Sequence, residues 1–409
     1  MRSRALLLAL VATAATAAFA PTASAAPTAP LPGGKYVGKA AAGTGKRVVV
    51  KVRSSNSHEQ FRGVVRLRCA GVSARFSTGD GRFIARKRRG GRTIFKARGR
   101  FVTMNQVKGA VVRMNRHRRH GSCRPSDFRA RLANSPRIHE RTVTYGPFSV
   151  EPGMGHGHGG LNTALGNIDK PCEDCQIVAM SADLTEADGR SANYDTESML
   201  HHVVLFNQGA RDATCPGRPE RFFAAGNERT PLLLPRGFGY PVAAGDRWRL
   251  ITHLMNMGAA TKDLYIKVSF AYVEGASGLQ PAKPFWLDIN NCGSSQYETP
   301  AGDHTAVRGF TVTPEMAGRL VAIGGHLHDH GTHISATDTT TGQLLCDAAA
   351  GYDNDPSYMG HIDSVGGCLG RSVGTLNAGD NLELRSSYDA PEAIPDVMGI
   401  MVGYVAPPG

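Results

Sequence analysis

Apolar and polar residues alternate in short runs along almost the whole chain of 409 residues. Examples are "RVVVKVRS" at residues 47–54, "LYIKVSFAYV" at residues 264–273 and "NLELRSS" at residues 381–387. Such a period of two is typical of β-strands with one buried face, and glycine-rich turns separate the runs. Long segments with a helical period are missing. The pattern therefore predicts an all-β fold.

The first 25 residues have the character of a secretory signal. Arg2 and Arg4 precede an apolar stretch that starts at Ala5, and small residues follow at Ala23-Ser24-Ala25, where a signal peptidase would cut. We therefore expect residues 1–25 to be removed and the mature protein to be secreted. No later stretch reaches the length of about 18 apolar residues that a spanning helix needs, so no transmembrane segment is expected.

Charge divides the mature chain into two unlike parts. Residues 35–141 contain 29 Lys and Arg against four acidic residues, whereas residues 142–409 contain 16 basic and 30 acidic residues. The basic part is predicted to be a small β-sandwich accessory domain. Its charge suits an anionic cell-wall polymer, although a merely solvated face is an equally good explanation. No nucleic-acid-binding motif is present, so nucleic acid is not an expected partner.

The eight cysteines are all expected to form disulfides in an exported chain. Cys69 and Cys123 are alone in the basic part and are predicted to pair with each other. Cys346 and Cys368 flank one excursion that they would close as a loop. Cys172 and Cys175, in "CEDC", are predicted to pair with Cys215 and Cys292, although this spacing also occurs in redox and metal sites.

Histidines mark the candidate chemistry. In "VAIGGHLH", residues 321–328, a strand would project His326 and His328 from the same face, so that both imidazoles reach one metal ion. His330 and His333 follow in "DHGTH", where Gly331 predicts a turn, and are expected outside the site. Two other apolar strands carry His201-His202 and His253. The alternative for each of these three histidines is a side chain that is packed in the core or faces water. His156 and His158 are interpreted as incidental residues of the glycine-rich linker at 151–160.

A methionine near the chain end completes a recognisable order of ligands. "HHVVLF" from His201, then His253, then His326 and His328, then Met398 in "PDVM" resemble the copper type II, ascorbate-dependent monooxygenases, which include the peptidylglycine α-hydroxylating and dopamine β-monooxygenases. The resemblance spans roughly residues 142–409. A loose resemblance of the "GRF", "GAVVR" and "FRARL" strands to a small β domain of secreted actinobacterial proteins covers the basic part and brings no known activity.

The copper family implies a fold and a site. The fold would be two antiparallel jelly-roll β-sandwich domains, residues 142–280 and 281–409, with a copper in each and a solvent-filled cleft between them. One copper, held by His201, His202 and His253, would transfer electrons. The other, at His326, His328 and Met398, would be the catalytic site, where dioxygen binds and a C–H bond breaks. A thioether is a soft ligand that favours Cu(I). Zinc sites have little use for methionine. Met401 is an alternative to Met398.

The substrate pocket does not carry over from the family. Peptide-hydroxylating members have an arginine two positions before H-x-H, where this chain has Gly324. After the Met ligand, this chain has Gly399 in place of their cysteine and Val402 in place of their tyrosine. The leading hypothesis is therefore a secreted dicopper monooxygenase that uses dioxygen and a reductant such as ascorbate on an unknown small-molecule or peptide substrate. The alternatives are a non-catalytic copper-sequestering protein and a zinc hydrolase with Asp329 as its base.

Overall fold

The computed structural model describes residues 30–40, 47–53, 61–67, 71–78, 81–114, 126–153, 160–275 and 278–407. The predicted signal at 1–25, Cys69, Cys123, His156 and His158 lie outside these residues. Within them nearly all regular structure is β, which confirms the all-β prediction, and two single 3-10 turns, Tyr194–Thr196 and Pro356–Tyr358, are the exceptions. No helix of the described part is long and apolar enough to cross a membrane.

The first eight strands form one antiparallel sheet that curls until its edge strands meet. Its strand order is β4-β3-β2-β1-β8-β7-β6-β5. Phe76 and Phe83, on the two edge strands, stack with ring centroids 4.3 Å apart, so aromatic packing joins the edges. The two halves of this curled sheet form the layers around the core. The strands are β1 (Lys35–Ala40), β2 (Arg47–Val52), β3 (Phe61–Leu67), β4 (Val72–Thr78), β5 (Arg82–Arg89), β6 (Arg92–Thr103), β7 (Gln106–Met114) and β8 (Ser126–Leu132).

Basic side chains cover the outside of this sheet. On β5 the buried residues Phe83 and Ala85 alternate with the exposed Arg82, Ile84 and Arg86, and the strand ends in four exposed basic residues at positions 86–89. A shallow depression nearby is lined by Arg53, Arg62 and Arg75. The charge found in the sequence is thus concentrated on an open surface. Binding of an anionic polymer there stays a prediction.

The central strands form two sheets that pack face to face. One has the order β10-β16-β12-β13, and the other has the order β18-β15-β11-β17-β9, with β14 also paired to β11. Phe222 stacks on Tyr240 across the two sheets with ring centroids 4.9 Å apart, and Trp248 is fully buried beside them. The strands are β9 (His139–Val150), β10 (Leu161–Ile168), β11 (Cys175–Glu186), β12 (Ser198–Arg211), β13 (Pro219–Gly226), β14 (Leu232–Leu233), β15 (Phe238–Val242), β16 (Trp248–Asn256), β17 (Lys262–Glu274) and β18 (Gln280–Pro281).

The last strands build a second sandwich of two five-stranded sheets. Their orders are β19-β28-β22-β26, with β20 paired to β28, and β21-β27-β23-β24-β25. The core between them contains the buried Ile323, Leu384 and Met401. The strands are β19 (Lys283–Asp288), β20 (Gln296–Thr299), β21 (Gly302–Thr311), β22 (Gly318–Leu327), β23 (Gly331–Asp338), β24 (Gln343–Tyr352), β25 (Ile362–Val365), β26 (Gly367–Leu376), β27 (Asn381–Ala390) and β28 (Ile394–Ala406). The limits of the predicted domains, 35–141, 142–280 and 281–409, stay predictions.

The two sandwiches are joined by covalent and apolar contacts. The disulfide between Cys215 and Cys292 links the loop after β12 to the segment after β19, with the Cα atoms 5.8 Å apart. The Tyr404 hydroxyl on β28 donates to the backbone carbonyl of Phe222 on β13. A small apolar cluster, drawn from both sandwiches, fills the space between them and consists of Val204, Trp286, Met398 and Ile400. The functional residues described below lie around this interface cluster.

The cysteine pairing differs from the prediction in one respect. The pair of Cys346 and Cys368 is confirmed, with Cα atoms 5.6 Å apart. The prediction that Cys172 and Cys175 pair with Cys215 and Cys292 is wrong, because Cys172 pairs with Cys175 instead, with Cα atoms 6.1 Å apart. The chain turns at Asp174, whose backbone is left-handed (φ 47°), and this turn brings the two neighbours together ahead of the more distant cysteines.

Removing the disulfide between the sandwiches should cost stability. Because Cys215 and Cys292 are 77 positions apart, the double variant Cys215→Ser/Cys292→Ser should lose about 4 kcal/mol on the chain-entropy account. By calorimetry its first thermal transition should fall by roughly 10 °C. The matched control is Cys346→Ser/Cys368→Ser, which opens a shorter loop within one sandwich. An unchanged transition in Cys215→Ser/Cys292→Ser would contradict this role.

Candidate metal centre

Strand β12 presents two successive histidines to the same site because it contains a β-bulge. Neighbouring side chains on a regular strand project to opposite faces. Here Leu200 pairs with Leu254 and His202 pairs with His253, so His201 is the extra residue on the bulged strand. The extra residue shifts the alternation by one place. His201 and His202 therefore both reach His253 on β16.

The three imidazoles lie within the span of one metal ion. The Nδ1 atoms of His201 and His202 are 3.1 Å apart, and the ring of His201 lies 4.5 Å from that of His253. One ligand nitrogen from each of the three can be chosen so that all lie within 4.8 Å of one another. The structure thus brings together the three histidines that the sequence analysis grouped.

A second group of candidate ligands comes from the C-terminal sandwich. His326 is the penultimate residue of β22, and His328 follows the strand directly, with ring centroids 5.4 Å apart. Met398 lies on the neighbouring strand β28, is 5% exposed, and lines the same cavity as His326. Met401, the alternative ligand, is buried in the core of the C-terminal sandwich and does not line that cavity.

The two groups are in contact across the interface between the sandwiches. The ring centroids of His201 and His328 are 4.6 Å apart. The solvent-filled cleft that the resemblance implies between the two sites is therefore a wrong expectation for this structure. The physical reason is the interface cluster around Trp286 and Ile400, because burying this apolar surface draws the two sheets together. The five histidines form one continuous group, called the histidine cluster below.

Burial keeps most of the histidine cluster neutral. Loss of hydration lowers the pKa of His202 and of His328 to about 3, and neighbouring imidazoles add to the effect. The pKa of His201 is lowered for the same reasons. A neutral imidazole offers the lone pair that a metal needs, so the protein environment favours the form that binds metal.

Glu228 is a candidate functional residue that the sequence analysis missed. Its Oε1 atom lies 2.9 Å from Nδ1 of His326 and also accepts from the backbone N–H of Gly226. Burial lowers the pKa of His326, but the nearby carboxylate outweighs burial, so the net shift is upward. Carboxylates commonly hold metal-binding histidines in this way, fixing the ring and its tautomer. Nothing in the local sequence connects Glu228 with a histidine 98 positions away.

Gly226 permits this close approach. A Cβ at this position would lie 2.4 Å from Cε1 of His326 and 2.6 Å from Oε2 of Glu228. Since Gly226 is also paired with His202 in the sheet, it lies between the two groups of ligands. A side chain would displace the imidazole or its carboxylate partner. Steric space, and not an unusual backbone angle, therefore requires glycine here.

The donor atoms fit a copper ion. The Nε2 atoms of His326 and His328 are buried and have no hydrogen-bond partner among the described residues. A buried polar atom without a partner is costly, which suggests that these atoms are provided for a ligand. Imidazole nitrogens and a nearby thioether suit copper better than zinc, which rarely uses methionine. The residues therefore fit the metal that the sequence analysis expected.

The other residues of the histidine-rich run lie outside the cluster. His330 and His333 are exposed, as expected from the turn after β22. Asp329 accepts hydrogen bonds from His361 Nδ1 at 2.6 Å and from the backbone N–H of Ile362. Because both of its oxygens are engaged, Asp329 is poorly placed to act as the base of a zinc hydrolase.

A cavity of about 120 Å³ adjoins the histidine cluster. It lies between the sandwiches and includes His202 from one group of ligands, and His326 and Met398 from the other. The rest of its wall is mainly apolar, with Phe223, Ile251 and other residues of the two facing sheets. A small molecule in this cavity would lie directly beside candidate metal ligands. Concave, mainly apolar spaces with a few polar groups are where proteins usually bind small molecules.

Two curated proteins are clearly similar to this chain. One, named probable copper-dependent oxygenase M1, from a Phoma species, is 30% identical over 289 residues, which cover 65% of this chain and 72% of that protein. The other, named probable copper-dependent oxygenase clz3, from Cochliobolus lunatus, is 29% identical over 249 residues and matches 55% and 78% of the two chains. This chain belongs to the family of these probable copper-dependent oxygenases.

Other comparisons add little. No protein-family model matches the chain. Among solved structures, the major capsid protein P2 from bacteriophage PM2 is 12% identical with a TM-score of 0.29, and covers 66% of this chain and 97% of its own. PNGF-II is 8% identical with a TM-score of 0.26, and the match covers 90% and 98% of the two chains. These likenesses are too slight to bear on the fold or function.

A substitution at Gly226 should weaken metal binding. The new Cβ of Gly226→Ala would displace His326 or Glu228. The affinity for Cu(I) should therefore fall by about tenfold or more, which is the usual effect of losing the hydrogen-bond partner of a metal ligand. Competition titration with a Cu(I) chelator measures this. The control is Gly166→Ala on β10 of the same sheet, where an added Cβ meets nothing within 4 Å. Equal affinities in both variants would show that the close approach has no role in binding.

Proposed function

We propose that the chain is a secreted copper-dependent monooxygenase. It inserts one oxygen atom of dioxygen into a C–H bond of a small-molecule or peptide substrate, and the other atom leaves as water with two protons and two electrons from an external reductant such as ascorbate. Its kinship with probable copper-dependent oxygenases supports this reaction class. The observation that carries the proposal is the position of the cavity directly against the histidine cluster. A protein that only sequesters copper needs no such space beside its ligands.

Two copper ions per chain are proposed. His201, His202 and His253 would hold one, and His326, His328 and Met398 would hold the other. When bound, copper supplies dioxygen activation and one-electron transfer. Two donor sets of different composition support a division of labour, because three imidazoles accommodate both oxidation states whereas a thioether favours Cu(I).

The chain's own residues prepare the second site. Glu228 accepts a hydrogen bond from Nδ1–H of His326. The proton then stays on Nδ1, and the buried Nε2 atom keeps the lone pair that a metal needs. Trp286, Met398 and Ile400 exclude water from the region between the sandwiches. Exclusion of water strengthens electrostatic interactions and protects reactive species from side reactions. The surrounding protein thus supplies orientation of the ligands and a water-poor site.

Reductant-driven oxygen uptake tests the proposed activity. Copper-loaded protein with ascorbate should consume dioxygen. His253→Ala should lower the rate by about 100-fold, because losing a metal ligand should reduce activity at least as much as losing a residue that supports a ligand. An oxygen electrode measures the rate. His333→Ala, at an exposed histidine outside the cluster, is the matched control and should keep the wild-type rate. Bound copper without any oxygen uptake would instead indicate the non-catalytic copper-sequestering protein.

Cu(I) X-ray absorption distinguishes the two candidate thioethers. Met398 lines the cavity with His326, whereas Met401 is fully buried in the core of the C-terminal sandwich. The Cu–S scattering of the wild-type protein should therefore disappear in Met398→Leu and remain in Met401→Leu. These are conservative changes of similar volume, so both variants should fold. Loss of the sulfur signal in Met401→Leu alone would overturn the assignment of Met398.

A further inference from the structure

The shape and lining of the cavity restrict what it can bind. Its volume is about 120 Å³, and Phe222, Phe223, Ile251, Trp286 and Ile400 form much of its wall. An apolar cavity of about 150 Å³ accommodates a benzene molecule in another protein. The space beside the histidine cluster therefore suits a group of about the size of one six-membered carbon ring.

The charges around the cavity disfavour anionic ligands. No Lys or Arg is among the described residues that line it, whereas Glu228 is. In the metal-free chain, a carboxylate group on the ligand would be buried without a basic side chain to pair with and beside an acidic one, which is strongly unfavourable. The lining therefore selects against anions.

Three side-chain atoms of residues that line the cavity have no hydrogen-bond partner among the described residues: Nε2 of His326, assigned above to the metal, Nε1 of Trp286, and Oε2 of Glu228. Glu228 is 5% exposed, and its Oε1 atom is occupied by His326 and by the backbone of Gly226. Its Oε2 atom is buried and makes no hydrogen bond to the described residues. A buried carboxylate oxygen without a partner is costly, and a donor that arrives with the ligand would form a strong, charge-assisted hydrogen bond to it. An ammonium group would bring three donors and leave some of them unpaired.

We infer that the cavity binds an uncharged, mainly apolar alcohol whose hydroxyl group donates to Oε2 of Glu228. This inference deepens the proposed function, on which it rests, by naming the substrate class of the same site. The hydroxyl would anchor the molecule on the carboxylate that also holds His326. The carbon skeleton would fill the apolar remainder of the cavity, so that its C–H bonds lie beside the histidine cluster.

Calorimetric titration of four related probes tests the inference. Benzyl alcohol, toluene, benzoate and benzylamine share one ring and differ in donor and charge. The mature full chain is titrated both as isolated and after removal of metal by chelation. Benzyl alcohol should bind about tenfold more tightly than toluene, because only the alcohol satisfies Glu228. Benzoate and benzylamine should bind more weakly than toluene. In the metal-free chain, tighter binding of either ion, or equal binding of toluene and the alcohol, would overturn the inference.

Three variants locate the binding. In the metal-free protein, Glu228→Gln should reduce the preference for benzyl alcohol over toluene by about fivefold while toluene binds as before. Ala224→Phe places a ring in the cavity and should abolish binding of both probes. Val307→Phe makes a similar change at an exposed position on β21 and should leave binding unchanged. Thermal melts check that each variant is folded. If Ala224→Phe is folded and still binds benzyl alcohol, the site lies elsewhere.

The two proposals fail in different ways. Binding to the metal-free chain does not depend on copper or turnover, so it can succeed even if oxygen uptake is never observed. Conversely, a protein that consumes dioxygen with ascorbate but does not prefer the alcohol would keep the proposed function and lose the substrate class.

Discussion

The candidate site depends on one local departure from the geometry of a β-strand. Successive side chains of a strand project to opposite faces, so two adjacent histidines cannot ordinarily serve the same metal. The bulge at His201 removes that restriction, because two residues of β12 lie opposite the single His253 of β16. Without it, one imidazole would face the core and the other would face the interface. A bulge in a sheet beside a functional site is a common device for redirecting a side chain.

The second requirement is the contact between the two sandwiches. His326, His328 and Met398 belong to the C-terminal sandwich, and they meet the other histidines only because the facing sheets are packed together by the interface cluster. The disulfide between Cys215 and Cys292 fixes the two sandwiches covalently near this cluster. Glu228 acts across the same boundary, since it extends from the central sandwich to His326. Apolar burial, which has no direction of its own, thus determines where the polar ligands meet.

Much of the fold and part of the candidate site could be read from the sequence. Alternation of apolar residues depends only on neighbours along a strand, and it correctly predicted an all-β chain. Histidines in apolar strands stand out for the same reason, so His201, His253 and His326 were found without a structure. The pairing of Cys346 with Cys368 was likewise accessible because it closes a local loop.

What the sequence could not reveal depends on contacts between distant segments. Glu228 follows an ordinary strand, and its role arises only when the two sandwiches pack. The contact between His201 and His328 also depends on that packing, so the resemblance alone predicted a cleft between two histidine groups that are in contact in the described chain. The cysteines of "CEDC" were assigned to the wrong partners because a turn at Asp174 decides their pairing, and this turn has no strong sequence signal.

The most direct test of the account is anomalous diffraction from crystals of the copper-loaded protein, with data collected on both sides of the copper absorption edge. Two copper peaks are expected within the histidine cluster, one beside His201, His202 and His253 and the other beside His326, His328 and Met398. A single peak, or copper bound away from the interface between the sandwiches, would contradict it.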